Sequence, residues 1–418
     1  MSALTTRIAD DYAVAARGSP ADARRAAAIA QLTAEGLPTS RDENWKYAQL
    51  RALERLRFVP AAAQLGALPT LPAPIEGFAR YVFIDGRLAP EHSAAASDVF
   101  ASLAAAPAGG GVPRRGTDER LALLNDAFAN DGARLRLDAG AAARVELVFV
   151  ARAESEHGAS YPRIELDLAA GARLELIERH LSAQQAASFV DAALEISLGR
   201  DATLTHYRLQ ALAPRCTYFD TLGATLAAGA HYRLNAIATG ARAGRSTQSL
   251  RLAGEAAQLS MAVAALADGL QVQDSFAQVT HAAPRARTEQ LFRGIAAARS
   301  RVAFNGKIVV EKNAAGTDSQ QSLRGLLAGP EAEIDVRPQL EIYTDDVRCA
   351  HGASAGKLDE HMLFYLLSRG LERAVALRLL KWAFLADAFA RIEVPQLRTQ
   401  IEAHLAGVLQ DRALEELL

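Results

Sequence analysis

Cys349 and His351 stand two positions apart in Tyr343-Thr344-Asp345-Asp346-Val347-Arg348-Cys349-Ala350-His351-Gly352. On a strand, alternate side chains share a face, so this spacing turns a thiol and an imidazole toward one point, and both are donors for zinc or iron. The other cysteine, Cys216, lies 133 positions upstream by residue number, and neither a CxxC nor an HExxH pattern occurs. A closed tetrahedral zinc or iron–sulfur site takes about four ligands, so the chain offers part of a site that a neighbour would have to complete. A buried cysteine beside a hydrogen-bonded histidine is the plainer alternative and stays open, since lone cysteines are commonly buried.

Gly352-Ala353-Ser354-Ala355-Gly356 fits the GxSxG nucleophile elbow and stands between a strand-like run and a helical one. In that enzyme class the acid and the histidine follow the serine on alternating strands and helices. Here only His361 and His404 follow, both within helical patterns. A glycine-rich turn leaving the strand region is therefore preferred, with a serine hydrolase acting through Ser354 as the alternative. GGGVPRRGT at 109–117 has Walker-like glycine spacing, but Thr117 occupies the place of the phosphate-binding lysine. Asp345 and Asp346 would face opposite sides of an extended chain. Asp167, Asp191 and Asp220 share no register, so no acid pair for general acid–base chemistry emerges. The chain carries no catalytic residues on this reading.

The elements that must position Cys349 and His351 follow from periodicity. From Asp131-Gly132 onward apolar and polar residues alternate, as in Arg144-Val145-Glu146-Leu147-Val148-Phe149-Val150. A turn-then-strand phrase recurs, LDAGAAARVEL, LAAGARLELIE, LGRDATLTHYR, LAAGAHYRLNA, LAGEAAQLSMA, IAAARSRVAFN and LAGPEAEIDVR, beginning at Leu137, Leu168, Leu198, Leu226, Leu252, Ile295 and Leu327. The steps are 31, 30, 28, 26, 43 and 32 residues. Near-regular steps of this length mark a solenoid, whose coils bury their apolar faces only by stacking on one another. An antiparallel sandwich would alternate in the same way and stays open on the pattern alone.

Helical spacing flanks this region. Ala21 to Leu56 reads as two helices broken at Gly36-Leu37-Pro38, and Asp118–Asn130 as another, with Leu121, Leu124, Ala127 and Phe128 on one face. Val59 to Pro113, rich in Ala, Pro and Gly and loosest at 106–116, reads as extended linker. LDEHMLFYLLSR ends at Gly370, suited to a left-handed cap. A longer helix runs to Pro395 with Leu377, Leu380, Phe384 and Ala388 in one stripe. The expected fold is mainly β: a parallel β-helix over 135–357, between an N-terminal helical region with its linker over 1–134 and a C-terminal helical region over 358–418. Phe364, Tyr365, Arg369, Leu380 and Phe384 are the candidate partner-binding residues on those last helices.

Net charge is −2, with 46 basic and 48 acidic residues and no long run of one sign, so nucleic acid and membrane surfaces are poor partners. No stretch approaches the roughly 20 apolar residues of a membrane helix, and the start does not read as a signal peptide. Two cysteines far apart point to a reducing compartment, and so to the cytoplasm.

Pro338-Gln339-Leu340-Glu341-Ile342-Tyr343, Asp345 through Ala353, Leu358-Asp359-Glu360, Leu363-Phe364-Tyr365-Leu366 and Ser368-Arg369-Gly370 closely resemble the SufB/SufD family of iron–sulfur cluster assembly subunits. Phe304-Asn305-Gly306-Lys307-Ile308-Val309-Val310 and Gln320-Gln321-Ser322-Leu323 look like its last β-helix coils. Arg41-Asp42-Glu43-Asn44-Trp45-Lys46-Tyr47 and Leu124-Asn125-Asp126-Ala127-Phe128 resemble its SufD branch. The resemblance spans nearly the whole chain. It implies a right-handed β-helix and an accessory scaffold subunit that pairs with SufB through the β-helices and binds the ATPase SufC through the C-terminal helices. It also implies that Cys349 and His351 lie at the SufB interface, that the isolated chain has no cofactor of its own, and that a nascent iron–sulfur cluster is shared with SufB. Isolated, such a chain could pair with a second copy through the same surface. Ala350 and Ser354 stand where the family often has Ser and Thr, and neither change removes a proposed ligand.

Overall fold

The computed structural model describes residues 3–16, 23–48, 50–61, 68–95, 97–105, 120–153 and 158–409. The glycine-rich run at 106–116, the Walker-like spacing through Thr117, and Ala21 and Asp118 at the starts of expected helices lie outside these residues.

Two stacked parallel sheets form the body. One runs β5 (Ala142–Ala151), β8 (Arg173–Ser182), β10 (Thr203–Leu212), β12 (His231–Gly240), β14 (Gln258–Ala267), β16 (Arg287–Ala296), β18 (Thr317–Leu327) and β20 (Val347–Lys357). The other runs β4 (Ala133–Leu137), β7 (Arg163–Leu168), β9 (Phe189–Leu198), β11 (Thr217–Leu226), β13 (Ala243–Leu252), β15 (Val272–His281), β17 (Arg301–Val310) and β19 (Glu333–Ile342), with short β6 (Ala159–Ser160) beside β9. Successive strands alternate between the sheets, and each pairs in parallel with the strand one coil away, so the chain winds a β-solenoid and the sandwich alternative falls.

The recurring phrase marks a corner of this solenoid. In the first five coils its leading leucine ends a strand of the second sheet, and Leu137, Leu168, Leu198, Leu226 and Leu252 stack in register. That column continues through His281, Val310 and Ile342, at steps of 29, 29 and 32. Ile295 is the last residue but one of β16 and Leu327 the last of β18, both in the first sheet, so the 43-residue step was a change of corner, and the coil length never lapses. The phrase repeats because its turn does. Gly140, Gly171, Asp201, Gly229, Ala256, Arg285 and Gly316 all have positive φ, and each donates its backbone N–H to the turn of the next coil. Glycine is the cheapest occupant of that conformation, and the stacked turn bonds hold Asp201, Ala256 and Arg285 there as well.

Residues between Val59 and Pro113, expected as linker, carry β1 (Ala79–Ile84), β2 (Arg87–Leu88) and β3 (Phe100–Ser102). β1 extends the first sheet beside β5 and folds back antiparallel on β2, while β3 pairs antiparallel with β4, which closes that end. These short runs form strands because a finished sheet edge supplies their hydrogen bonds, which is information no local pattern holds.

Helices cover both outer faces. α1 (Ala3–Ala15), α2 (Ala23–Glu35) and α3 (Arg120–Phe128) pack with Trp45 and Leu53 on Phe189 and Phe219 of the second sheet. α2 ends at Gly36 as expected, but two short 3-10 turns, at Glu43–Trp45 and Leu50–Arg55, replace the second helix. Asp42 accepts from the Thr39 N–H and hydroxyl, a local bond that competes with helix propagation. On the first sheet lie α5 (Arg373–Phe389) and α6 (Pro395–Leu409), and α4 (Glu360–Ser368) packs on α5. The stripe expected on α5 is rotated: Leu377, Leu380 and Phe384 are half-buried, and Ala376, Lys381, Leu385, Ala388 and Phe389 face the sheet. The helix is apolar on most of its circumference, so periodicity alone does not pick the face. No described helix is long and apolar enough to cross a membrane.

Candidate functional site

Cys349 and His351 lie on β20, at the end of the solenoid opposite β1–β3. Among the described residues β20 pairs only with β18, and β19 only with β17, so this end presents two free edges. Interior-facing Ile334, Val336, Leu340, Val347 and Cys349 pack on the core below yet are only partly buried, because no coil among the described residues covers them. Beside them Ile342 and Tyr343 are exposed. Unpaired edges rimmed by apolar side chains invite strand addition or face-to-face docking, and folded proteins rarely leave them bare.

Within β20 the alternation is as expected. Cys349 stacks on Ser319 and His351 on Gln321, two buried residues of β18, so both donors stand on the inner column, Cys349 half-buried and His351 exposed. Burial pushes the Cys349 thiol up, and the Asp318 carboxylate adds to this against a backbone hydrogen bond from Ser319. The free chain thus keeps a thiol at neutral pH, and a metal or a partner's cation would have to draw the proton off.

The floor beneath them is polar. Gln321 donates through Nε2 to Gln290 Oε1 at 2.7 Å and to the Gly306 carbonyl at 3.1 Å, while its Oε1 and the Ser319 hydroxyl have no partner among the described residues. Ser319 and Gln290 carried no signal, because alternation does not say which inward residues are polar by purpose. Among the described residues no three His, Cys, Asp or Glu side chains converge as metal ligands. Cys216 is buried in the core with its Sγ–H directed to the Ala186 carbonyl, and burial raises its pKa to about 11.

Ser354 is not on an elbow. Gly352 to Gly356 run extended along β20, with Ser354 opposite Arg324, so the glycine-rich turn expected there is absent. A nucleophile elbow needs a sharp strand-to-helix turn, and no histidine bonds Ser354 among the described residues, so the hydrolase alternative lacks its geometry. Asp220 lies opposite Ala192 and Asp191 opposite Phe219, on different faces of their strands.

The other candidates sit on the last helices. Asp359 caps α4, its side chain accepting from the N–H groups of His361 and Met362, and Gly370 at φ 85° closes it as expected. Only Leu363 of this helix is buried. Phe364 is 71% and Tyr365 56% exposed, and the Arg369 guanidinium lies 5.1 Å from the Tyr365 ring centre. Leu380 and Phe384 lie apart from this patch on α5, half-buried, with Phe384 packed on the sheet-covering cluster.

Fold and site together define a parallel β-solenoid closed at one end and open at the other, with a partial donor set on its free edge. A family model described as the SUF system FeS cluster assembly SufBD core domain matches residues 149–384. The iron–sulfur cluster assembly protein SufD of Escherichia coli is 30% identical over 383 residues, covering 90% of each chain. A SufBD family iron–sulfur cluster assembly protein of Synechocystis is 27% identical over 389 residues, covering 87% of this chain and 86% of its own. The chain belongs to the SufBD family and takes its part in SUF iron–sulfur cluster assembly.

Proposed function

We propose that this chain is a non-catalytic, accessory scaffold of a SufB–SufC–SufD complex in the cytoplasm. Its open solenoid end pairs with SufB, and Cys349 and His351 contribute to a nascent cluster whose remaining ligands come from SufB. Its C-terminal helices hold the ATPase SufC, to which any nucleotide chemistry belongs. The carrying observation is the edge of β20, unpaired among the described residues, which bears a thiol and an imidazole on one column with no further ligands converging on them among those residues. Two donors are about half of a tetrahedral set, and the bare coil around them is the surface that a second solenoid would cover. Both cysteines are free, as suits a reducing compartment.

The test is Cys349→Ala with His351→Ala in the assembled complex. Both side chains lie at the uncovered end, so the variant should fold and co-purify with SufB and SufC while its iron and sulfide content drops. Unchanged cluster assembly overturns the site.

A further inference from the structure

A crevice of about 350 Å³ opens between the outer face of the first sheet and helices α5 and α6. Its walls are mainly apolar, Leu266, Ile295 and Val408 among them, and Lys381 enters it from α5. Lys381 is 8% exposed. The chain uses arginine almost throughout and has only five lysines, so a buried lysine here is a departure from its habit. Other buried cations have carboxylates at contact distance: Arg179 with Glu146 at 2.8 Å, Arg208 with Glu178 at 3.0 Å, Arg293 with Asp387 at 3.0 Å. The Lys381 ammonium has no hydrogen bond or ion pair among the described residues. Asp268 lines the same crevice but stays beyond salt-bridge distance, and its carboxylate accepts from the Gly269 N–H at 2.7 Å.

The side chain is mostly buried with its head in the crevice, and a cation so far withdrawn from bulk water favours a counter-ion or loss of the proton. Burial does draw the Lys381 pKa down, against the pull of Asp268. The second polar group of the crevice, His404, is already partnered. His404 Nε2 hydrogen-bonds the Thr239 hydroxyl at 2.8 Å, and that hydroxyl also lies 3.1 Å from the Gln210 carbonyl. Burial lowers the His404 pKa, with Arg179 adding to the effect, so the ring stays neutral. The cation left to be matched is Lys381. A mostly apolar cleft with a few placed polar groups, at the small end of the roughly 300–1,000 Å³ range, is the usual form of a small-molecule site.

We infer that this crevice binds a small organic monocarboxylate, its head on the Lys381 ammonium and its apolar body along Leu266, Ile295 and Val408. Binding would tie the α5–α6 layer to the sheet, since the walls come from both.

Acetylation of the full chain by acetic anhydride, followed at each lysine by peptide mass spectrometry, tests this with hexanoate as the probe and hexanol and hexylamine as controls. Hexanoate at ten times its dissociation constant should slow acetylation of Lys381 about tenfold by mass action. Lys46, Lys307, Lys312 and Lys357 should keep their rates, and the two controls should protect nothing. In parallel, hexanoate should raise the melting temperature of the wild type and of Lys381→Arg, but not of Lys381→Met. No protection of Lys381, equal protection by hexanol, or equal stabilisation of Lys381→Met overturns the inference. The labelling arm uses only the native chain, so a variant that fails to fold leaves it decisive.

Discussion

Replacing Arg208 by methionine should destabilise the solenoid, and the loss should shrink as the pH falls. Arg208 is 6% exposed inside the coil. Its Nε lies 3.0 Å from Glu178 Oε1, its Nη1 3.0 Å from Asp220 Oδ1 and its Nη2 2.7 Å from the Tyr218 hydroxyl. Glu178 also pairs with His180 and with His206, the latter at 2.9 Å, and His206 Nδ1 meets the Tyr232 hydroxyl at 3.0 Å. One guanidinium thus serves two carboxylates that are 0% and 1% exposed. Removing one member of a buried pair costs about 3–5 kcal/mol, because the other charge is left without compensation.

The pH signature separates this cause from lost packing. In the native chain burial alone would raise the Glu178 pKa. Arg208, His180 and the histidine hydrogen bonds outweigh it and hold the carboxyl well below its usual range. Its stabilising share is therefore present above the unfolded value of about 4.3 and is lost only as the pH drops through the folded pKa. Without Arg208 burial prevails, and the Glu178–His206 pair takes up a proton in the folded state at a pH above that unfolded value. The penalty should then fall by about 1.4 kcal/mol per pH unit across the window between the two. Urea denaturation of both proteins between about pH 7 and pH 5 measures the gap. A gap below about 1 kcal/mol, or one of constant size across the window, refutes the reasoning.

Gly240→Ala should cost at least about 1–3 kcal/mol, because φ is 69° and a Cβ would collide with the Leu212 carbonyl; thermal melting reads the loss. Leu204→Ala, at a fully buried inward position, should lose about 2–5 kcal/mol in the same assay. Phe364→Ala with Tyr365→Ala should leave the melting temperature unchanged, since both are exposed, and should weaken SufC retention in a pull-down; full retention removes α4 from the docking surface.

The β class, the cap at Gly370 and the shared face of Cys349 and His351 were legible in the chain because each depends on neighbours within a few residues, and the coil length was legible because its phrase recurs. A period of two fixes which side chains share a face, and the positive φ that closes α4 favours a glycine, here Gly370. The non-local outcomes were decided by tertiary structure. β1 and β3 formed only against β5 and β4, the GxSxG run was drawn out along β18, and α5 turned Lys381 rather than Leu380 toward the sheet. Alternation cannot say which strand is the last one, so the open edge that exposes Cys349 and His351 follows from the stacking of whole coils, none of which covers β20 among the described residues.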